Sequence, residues 1–378
     1  MKVLSLFDGM ACGMLAFQSV GIKPDRYVAY EYDIETANEK KDRLFGFAAK
    51  VASHNFPMIE QCGDVFKADY MNYQNFDWLI GGSPCTYWSI AQKNNRETEA
   101  SGLGWELFCQ YVKALHEVKP KYFLYENNKS MSSEIRESIN KVFGFEAVSI
   151  NSALVSAQNR QRLYWVGKKN EDGTYGKVEV RQPEDRGILL RDILDNSFPY
   201  KQTIKEKGYC LDSHYWKTPG SPETFLDGGH ARASRSMVAE PVRIGTIENK
   251  LQNPENNSKQ YRVYSPDGKS TTICGQGGEL GAKTGLYAIP WNGENKSVYE
   301  VHNGLITIKD KQYPIKLSDG FYIIRKLTVL ECKRLQTVPE WYDFSVISNS
   351  QAYRCLGNGW TIEVIAHLIK SAMSNNTQ

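Results

Sequence analysis

Short apolar runs alternate with helix-like segments through residues 1–167, and this alternation is the strongest constraint on the fold. Helical segments repeat apolar residues every third or fourth position, whereas buried strands are short continuous apolar runs. The alternation predicts an α/β fold, in which a mostly parallel sheet carries helices on both faces. The predicted strands are residues 3–7, 27–31, 76–80, 122–126 and 162–166, and the predicted helices open at Met14, run from Asp33 to Arg43, and cover 105–116.

The character of the chain changes after Gly167. The segment that follows, up to about residue 320, is rich in Gly, Pro, Asn, Ser and Lys and holds only short strand-like fragments. This pattern is typical of a loop-rich, mostly β domain. A capping box from Thr328 to Glu331 marks the return of helices, the last of which is predicted over 361–372. We therefore predict a main domain formed by residues 1–170 and 321–378, and a smaller domain formed by residues 171–320.

Composition excludes several classes of protein. The chain is 41% hydrophobic and 24% charged, and no apolar stretch approaches the roughly 20 residues that cross a bilayer. The amino terminus has neither the apolar core nor the cleavage site of a signal peptide. We therefore expect a cytoplasmic protein with no membrane partner. The net charge of +3 permits binding to a polyanion without requiring it.

The eight cysteines do not indicate a metal site. None of them forms a C-x-x-C pair, and they do not cluster with the six histidines. Disulfides are not expected in a cytoplasmic chain of this size. We therefore predict no bound metal.

Cys85 follows the predicted strand 76–80 after a Gly-Gly-Ser-Pro turn. Ligands of open α/β sheets bind where strands end. A thiol in that place is a candidate nucleophile. The alternative is that Cys85 is a small buried residue without a chemical role, as many unpaired cysteines are.

Two later segments carry the groups that a nucleophile would need. Glu126 ends the strand 122–126, and a carboxyl group buried at a strand end is suited to act as an acid. Arg160 and Arg162 lead into the strand 162–166, and alternate residues of a strand point to the same side. A capping glutamate and a surface arginine pair are the simpler explanations for each motif alone. Their order along the chain, after Cys85, favours a reactive site.

The first turn, Phe7 to Gly13, indicates a nucleoside-type ligand. Glycines such as Gly9 and Gly13 let a ligand approach the backbone, and a helix amino terminus adds a positive dipole. Glu31, at the end of the second strand, is placed to accept hydrogen bonds from ribose hydroxyls. Asp64 is a candidate acceptor for an adenine amino group, with a solvated turn residue as the alternative. The G-x-x-x-G spacing does not specify a dinucleotide.

In this order, the motifs resemble those of the DNA (cytosine-5) methyltransferases, and the resemblance covers nearly the whole chain. The Gly-x-Ala-x-Gly turn and the GNGW ending are more similar to phage enzymes and to animal de novo methyltransferases than to typical restriction-system enzymes. The resemblance is carried by FDGMACG at 7–13, Glu31, GDV at 63–65, GGSPCTYWS at 81–89, YENN at 125–128, QNRQRLYWVG at 158–167, RKLTVLECKRLQTVPEWY at 325–342 and QAYRCLGNGWTIEVIAHLI at 351–369.

The resemblance implies a Rossmann-like fold that binds S-adenosylmethionine, and it assigns roles to the reactive residues. Cys85 would add covalently to C6 of cytosine, and Glu126 would hydrogen-bond or protonate N3. Arg162 would hold the base oxygen O2, and Arg160 would contact a phosphate or brace the site. The target cytosine is stacked inside a duplex, so it would have to be flipped out.

The resemblance also assigns a cofactor site and marks two departures from the family pattern. The usual Gly-Asn-Ser-Val is Gly-Asn-Gly-Trp at 357–360, and the usual Glu-Asn-Val is Glu-Asn-Asn at 126–128. The departures leave the roles of Trp360 and Asn128 open. The residues implied for S-adenosylmethionine are Phe7, Asp8, Gly9, Gly13, Glu31, Asp64 and Asn358.

The segment 171–320 occupies the target-recognition position of the family, so the implied partner is double-stranded DNA. A cognate restriction endonuclease is a further partner that the resemblance allows, and we expect a monomer. Arg232 and Arg235 follow Gly228-Gly229-His230 in a polar loop; arginine commonly pairs with guanine in the major groove, and a solvated loop is the alternative. The predicted DNA contacts are Ser89, Gln158, Arg232, Arg235, Gln260, Arg262 and Lys269.

Three competing functions make different demands on the sequence. A zinc cytidine deaminase needs H-x-E and P-C-x-x-C, but Cys85 is followed by Thr86, Tyr87 and Trp88 with no second cysteine. A catalytically silent DNA-binding homologue would typically have lost the nucleophile or the acid, and this chain keeps both. An RNA-directed cytosine-5 methyltransferase stays open, although the long recognition segment favours duplex DNA.

Overall fold

The computed structural model describes residues 1–32, 46–90, 96–195, 299–308, 311–315, 317–325 and 327–374, and four strands between 208 and 290. The predicted helix from Asp33 to Arg43 lies outside the described residues. Two larger sheets and one short strand pair make up the β structure of this part of the chain.

The first sheet is mixed and mostly parallel, with strand order β3-β2-β1-β4-β5-β8-β6, and β9 pairs with β8. Strands β1 to β5 run parallel, whereas β8 runs antiparallel to β5, β6 and β9. The strands are β1 (Lys2–Leu6), β2 (Arg26–Tyr30), β3 (Glu60–Gln61), β4 (Trp78–Gly81), β5 (Tyr122–Asn128), β6 (Val148–Asn151), β7 (Gln158–Asn159), β8 (Gln161–Lys169) and β9 (Tyr175–Lys177).

Both faces of this sheet are buried. Neighbouring residues of a strand point to opposite faces, and here both sets of side chains lie in apolar clusters, as is usual for a mostly parallel sheet. Ile80 and Leu124 pack in one apolar cluster, while Leu79 and Phe123 pack in the other. Helices cover the two faces. The helices of the described part of the chain are α1 (Cys12–Ser19), α2 (Phe47–Asn55), α3 (Gly102–Val118), α4 (Ser133–Phe143), α5 (Leu190–Ile193), α6 (Val329–Leu335), α7 (Asn349–Asn358) and α8 (Ile362–Ser374).

The two layers have different origins along the chain. Helices α1, α2, α5, α6, α7 and α8 contribute to the cluster that contains Ile80. Helices α3 and α4 cover the opposite face. The predicted capping box is confirmed: Thr328 Oγ1 accepts from the Glu331 amide at 3.2 Å, and the Glu331 carboxylate accepts from the Thr328 amide at 2.7 Å. In the described part of the chain, no helix is long and apolar enough to cross a membrane.

A second sheet follows, with strand order β11-β12-β13-β17-β14-β15-β16. All of its pairs are antiparallel except β12 with β13. The short strand β10 (Gly208–Tyr209) lies outside this sheet and pairs with β7. The strands of the second sheet are β11 (Arg243–Thr246), β12 (Arg262–Tyr264), β13 (Leu286–Pro290), β14 (Tyr299–His302), β15 (Leu305–Ile308), β16 (Lys311–Pro314) and β17 (Gly320–Arg325).

The predicted domain limits do not coincide with the limits of the sheets. Strand β9 extends the first sheet beyond residue 171, and Val178, Leu190 and Leu194 pack in its apolar cluster. Strand β17 belongs to the second sheet although it begins at Gly320. The division of function between two domains stays a prediction, and the apolar cluster of the first sheet includes residues up to Leu194 of this part of the chain.

The fold brings several strand ends to one edge of the first sheet. The chain leaves β1 toward β2 on one side and returns to β4 on the other, so β1 and β4 flank the point where strand order reverses. Ligands of open α/β sheets bind at such a point, outside the carboxyl ends of the strands. Strand β8 starts at this edge because it is antiparallel, and Arg162 lies opposite Asn128.

Candidate active site

Cys85 lies at this edge on a firmly attached turn. It is the first residue of a short 3-10 helix, Cys85–Tyr87, and it is exposed. The turn before it is fastened to β5: Asn127 Nδ2 donates to the Ser83 carbonyl at 3.1 Å, and the Ser83 and Tyr125 hydroxyls lie 2.6 Å apart. The exposure contradicts the alternative of a small buried residue.

Asn128 adds a contact to the same turn. Its Nδ2 lies 3.5 Å from the Cys85 carbonyl oxygen and 3.2 Å from Asn127 Oδ1, and its own Oδ1 accepts from Ser130 Oγ at 2.7 Å. The first of these distances is at the long limit of a hydrogen bond. The departure from Glu-Asn-Val therefore places a polar side chain between the β5 end and the backbone of Cys85.

Glu126 is held by donors on both carboxylate oxygens. Arg162 Nε lies 3.1 Å from Oε1, and the Trp360 indole Nε1 donates to Oε2 at 2.9 Å. The residue is 9% exposed, so the two donors replace water around a nearly buried charge. Gly82 makes room for it, since a Cβ there would lie 2.8 Å from Oε2.

Arg160 and Arg162 make different contacts. Arg162 pairs with Glu126, and its Nη1 donates to the Gln161 carbonyl at 2.9 Å. Arg160 is 4% exposed and donates to the carbonyls of Gly357 at 3.2 Å and Gly359 at 2.8 Å. Of the two roles considered for Arg160, its burial is consistent with bracing the site, not with contacting a phosphate.

Asp8 is a buried carboxylate at the end of β1. Its Oδ1 accepts from Ser5 Oγ and Tyr27 Oη, each at 2.6 Å. Its Oδ2 is buried and has no hydrogen-bond partner among the described residues. Burial raises the pKa of Asp8 to about 6, against the two hydrogen bonds, which lower it. Buried polar atoms are nearly always hydrogen-bonded, so this oxygen can still accept from a donor outside the protein chain, such as a water molecule or a ligand.

The two glycines of the first turn serve different purposes. Gly9 has φ +63°, its amide donates to Glu31 Oε2 at 2.8 Å, and no described heavy atom lies within 4 Å of the place a Cβ would take. It therefore leaves the backbone open to a ligand. A Cβ at Gly13 would clash with Ile80 Cδ1. Gly13 is therefore explained by close packing of α1 on the sheet, not by approach of a ligand.

The other predicted cofactor residues lie around this turn and the carboxyl-terminal helices. Phe7 is partly buried with φ +59°, and Asn358 is exposed as the last residue of α7. Asp64 Oδ1 accepts from the Phe66 amide at 3.0 Å and caps the short helix Val65–Lys67. The capping agrees with the turn-residue alternative for Asp64 and does not test the adenine contact.

One predicted DNA contact is inconsistent with the structure. Gln158 is fully buried, and its Nε2 donates to the Leu335 carbonyl at 3.0 Å and to Gln336 Oε1 at 3.2 Å. Gln158 stands only two residues before Arg160 in the sequence, but its side chain faces α6. Ser89 is half-buried, and its amide donates to the Cys85 carbonyl at 2.9 Å. Arg262 lies in β12, and Arg232, Arg235, Gln260 and Lys269 lie outside the described residues.

Sequence reasoning did not find the partners of Asp8 or the contact of Trp360 with Glu126. The Gly-Asn-Gly-Trp departure was the signal for the second, because an indole brings a donor where valine has none. The described residues contain no group of three or more His, Cys, Asp or Glu that could hold a metal ion.

Comparison with known proteins identifies a family and several relatives. The sequence matches the family of C-5 cytosine-specific DNA methylases over residues 1–374. Similar proteins include the orphan methyltransferase M.SPRI of Bacillus phage SPR, 26% identical over 98% of this chain and 97% of that protein. The type II methyltransferase M.FnuDI of Fusobacterium nucleatum is 24% identical over 99% of this chain and 96% of that protein.

Solved structures confirm the predicted fold class. The S. pombe Dnmt2 methyltransferase matches with a TM-score of 0.57 and 13% identity, over 100% of both chains. The Entamoeba histolytica methyltransferase EhMeth matches with a TM-score of 0.57 and 13% identity, over 100% of this chain and 99% of that one. At these identities the likeness concerns the fold alone, while the sequence match over residues 1–374 confirms the resemblance inferred from the motifs. The chain therefore belongs to the C-5 cytosine-specific DNA methylase family, and it is a DNA cytosine-5 methyltransferase.

Proposed function

We propose that this protein methylates C5 of a cytosine that has been flipped out of duplex DNA, through a covalent adduct with Cys85 and with S-adenosylmethionine as the methyl donor. One observation carries the proposal: Cys85, the Glu126–Arg162 pair and the turn with the unpartnered Asp8 oxygen share one edge of the first sheet. Nucleophile, acid and cofactor turn are thus supplied by neighbouring strand ends.

S-adenosylmethionine fits the first turn on chemical grounds. It carries ammonium and hydroxyl donors, and the buried Oδ2 of Asp8 and the carboxylate of Glu31 are acceptors beside the open backbone of Gly9. When bound, it supplies a methyl group on a positively charged sulfur, which is a strong electrophile. The residues that would hold it are Phe7, Asp8, Gly9, Glu31, Asp64 and Asn358, with Gly13 supporting the turn by packing.

Cys85 would start the reaction on the base. Its thiolate forms a bond to C6, and the electron pair of the 5,6 double bond becomes available at C5, which then bonds to the methyl group. Loss of the C5 proton to a base and departure of the thiolate from C6 restore the aromatic ring. The exposure of Cys85 and the fixed backbone before it suit a nucleophile that meets an incoming base.

Glu126 and Arg162 would carry the charge that develops in the ring. Glu126 donates a proton to N3 as the thiolate adds, and the proton returns when the thiolate leaves. A guanidinium has several N–H donors, so Arg162 can keep Nε against Glu126 and donate to O2 through another nitrogen. Preorganised donors of this kind stabilise the charge of an adduct without reorganising during the reaction.

Sequence choice would belong to the smaller domain. The target atoms of a stacked base are out of reach, so the cytosine must leave the helix to contact Cys85. Residues 171–320 would hold the duplex and read bases, with Arg232 and Arg235 as the proposed readers and Arg262, Gln260 and Lys269 as further contacts.

The proposal is tested with purified protein, labelled S-adenosylmethionine and duplex DNA, followed by sequencing that detects 5-methylcytosine. Duplexes that contain 5-fluorocytosine should trap an SDS-stable adduct with the wild type, since the fluorine cannot leave as a proton does. Cys85→Ser should lose the adduct and nearly all transfer, because an alcohol is far less ionised than a thiol. Transfer without a trapped adduct would overturn the covalent mechanism, and transfer to RNA alone would overturn the DNA substrate.

A further inference from the structure

Trp360 touches the residue that the proposed mechanism uses as its acid. The indole Nε1–H donates to Glu126 Oε2 at 2.9 Å, while Arg162 lies 3.1 Å from the other carboxylate oxygen. The two residues are far apart in the sequence, so the contact depends on the docking of the carboxyl-terminal helices against the sheet. It occurs at the motif position where this chain differs from the usual family sequence.

The backbone around Trp360 is fixed from three directions. The Trp360 amide donates to Cys12 Sγ at 3.3 Å. Arg160 donates to the Gly357 and Gly359 carbonyls. Gly359 lies against Cys12 closely enough that an added Cβ would be 3.0 Å from Sγ. The indole is therefore directed by buried contacts that exist before a substrate arrives.

A carboxylate needs such a contact to keep one orientation. The terminal torsion of a glutamate side chain is broad, so an unsupported carboxylate samples many rotations. One donor at each oxygen removes this freedom. An indole nitrogen donates but cannot accept, so the side of Oε2 that faces Trp360 stays an acceptor. The transferable proton must then lie on a lone pair directed elsewhere.

We propose that Trp360 is a positioning residue that sets the rotation of the Glu126 carboxyl group by its indole N–H. The proposal rests on the proposed function, because it gives Glu126 the role of acid. It also connects two parts of the site: the same residue that orients the acid is anchored through its amide to Cys12, in the first turn of the sheet. Trp360 would thus align the acid relative to the cofactor turn.

Trp360→Phe is the direct test, because it keeps an aromatic ring and removes only the donor. We expect kcat to fall by about tenfold or more, as for loss of a hydrogen bond to a charged group, with little change in the KM for S-adenosylmethionine. In a Glu126→Ala background, measured in single turnovers, the same change should have almost no further effect, since the two residues act as a unit. Trp341→Phe is the matched control, because Trp341 is 57% exposed and packs on Phe56.

A merely structural role would give another pattern. Trp360→Phe would then lower kcat equally in the wild-type and Glu126→Ala backgrounds, and this result would overturn the proposal. So would an unchanged kcat in Trp360→Phe when the wild type is active. A wild type without any methyl transfer would instead refute the proposed function, and the next measurement does not depend on activity.

The indole N–H resonances of the nitrogen-labelled protein report the contact directly. The resonance of Trp360 is assigned by its absence in Trp360→Phe. We expect Glu126→Ala to move this resonance more than that of any other tryptophan, because the charged acceptor is removed. If the Trp360 resonance stays in place in a folded Glu126→Ala protein, the hydrogen bond does not exist in solution and the proposal fails.

Discussion

Asp8 should make the stability of the ligand-free protein depend on pH. The carboxyl group is buried, and its pKa is raised from 3.8 to about 6 because burial disfavours the charged form. At about 1.4 kcal/mol per pH unit, this difference corresponds to a penalty on the order of 3 kcal/mol for holding the ionised group in the native state. The hydrogen bonds from Ser5 and Tyr27 already oppose part of the cost of burial.

The direction of the effect follows from where the proton is bound. Between pH 3.8 and about 6 the native state keeps this proton while the unfolded chain releases it. The contribution of Asp8 to the free energy of unfolding is therefore fully present below pH 3.8. It decreases as the pH rises from 3.8 to about 6 and stays low at higher pH. About 2 kcal/mol of the change develops between about pH 4.5 and about pH 7.5.

Asp8→Asn isolates this contribution. The amide oxygen still accepts from Ser5 and Tyr27, but the side chain cannot ionise. A buried amide nitrogen without a partner costs a pH-independent amount, about 1–3 kcal/mol, so the informative quantity is the change of the mutational effect with pH. Urea unfolding of both proteins should show Asp8→Asn gaining about 2 kcal/mol relative to the wild type from about pH 4.5 to about pH 7.5. An equal mutational effect at both pH values would refute the reasoning.

Three further variants test the proposed roles. Glu126→Gln should lower kcat by about 10²–10⁴ with DNA and cofactor affinity changed far less; a kcat close to that of the wild type in steady-state assays would remove Glu126 as the acid. Glu31→Ala should raise the KM for S-adenosylmethionine about 10- to 150-fold with little effect on kcat, as for a lost charged hydrogen bond; an unchanged KM would place the ribose site elsewhere. Replacing Arg232 and Arg235 by alanine should relax or shift the methylated motif at a cost of about 1–3 kcal/mol in discrimination, read by sequencing methylated DNA, whereas a weaker salt dependence alone would identify phosphate contacts.

Much of the first sheet could be predicted because its strands are buried on both faces. The predicted strand 3–7 corresponds to Lys2–Leu6, 27–31 to Arg26–Tyr30, and 122–126 to the start of Tyr122–Asn128. Apolar runs indicate that a strand exists, but they do not state its direction. The antiparallel direction of β8 was therefore not evident from the residues. This direction is the reason that Arg162, near the start of β8, lies at the same edge of the sheet as Glu126, near the end of β5.

The site was predictable in its residue types and less so in its contacts. Cys85 follows a strand-like segment, Glu126 ends one and Arg162 begins one, and strand ends converge in this fold. Gln158 was misassigned because a position beside functional residues says nothing about burial, and its side chain packs against α6 instead. The partners of Asp8 could not be foreseen either, since Tyr27 reaches it from the neighbouring strand β2, where the register places Tyr27 opposite Val3.

Arg160 and Trp360 link the carboxyl-terminal turn to the first half of the chain. The turn at 357–360 follows residues 171–320 in the sequence, yet it contacts residues of the first half of the chain. Arg160 supplies one such contact, because its buried guanidinium donates to the carbonyls of Gly357 and Gly359. Loss of these two acceptors would be costly for a buried guanidinium, so the docking of this turn against Arg160 is favoured. Docking in turn places the Trp360 indole on Glu126. The contact between Trp360 and the proposed acid therefore forms only when the last segment of the chain has folded back onto the first sheet.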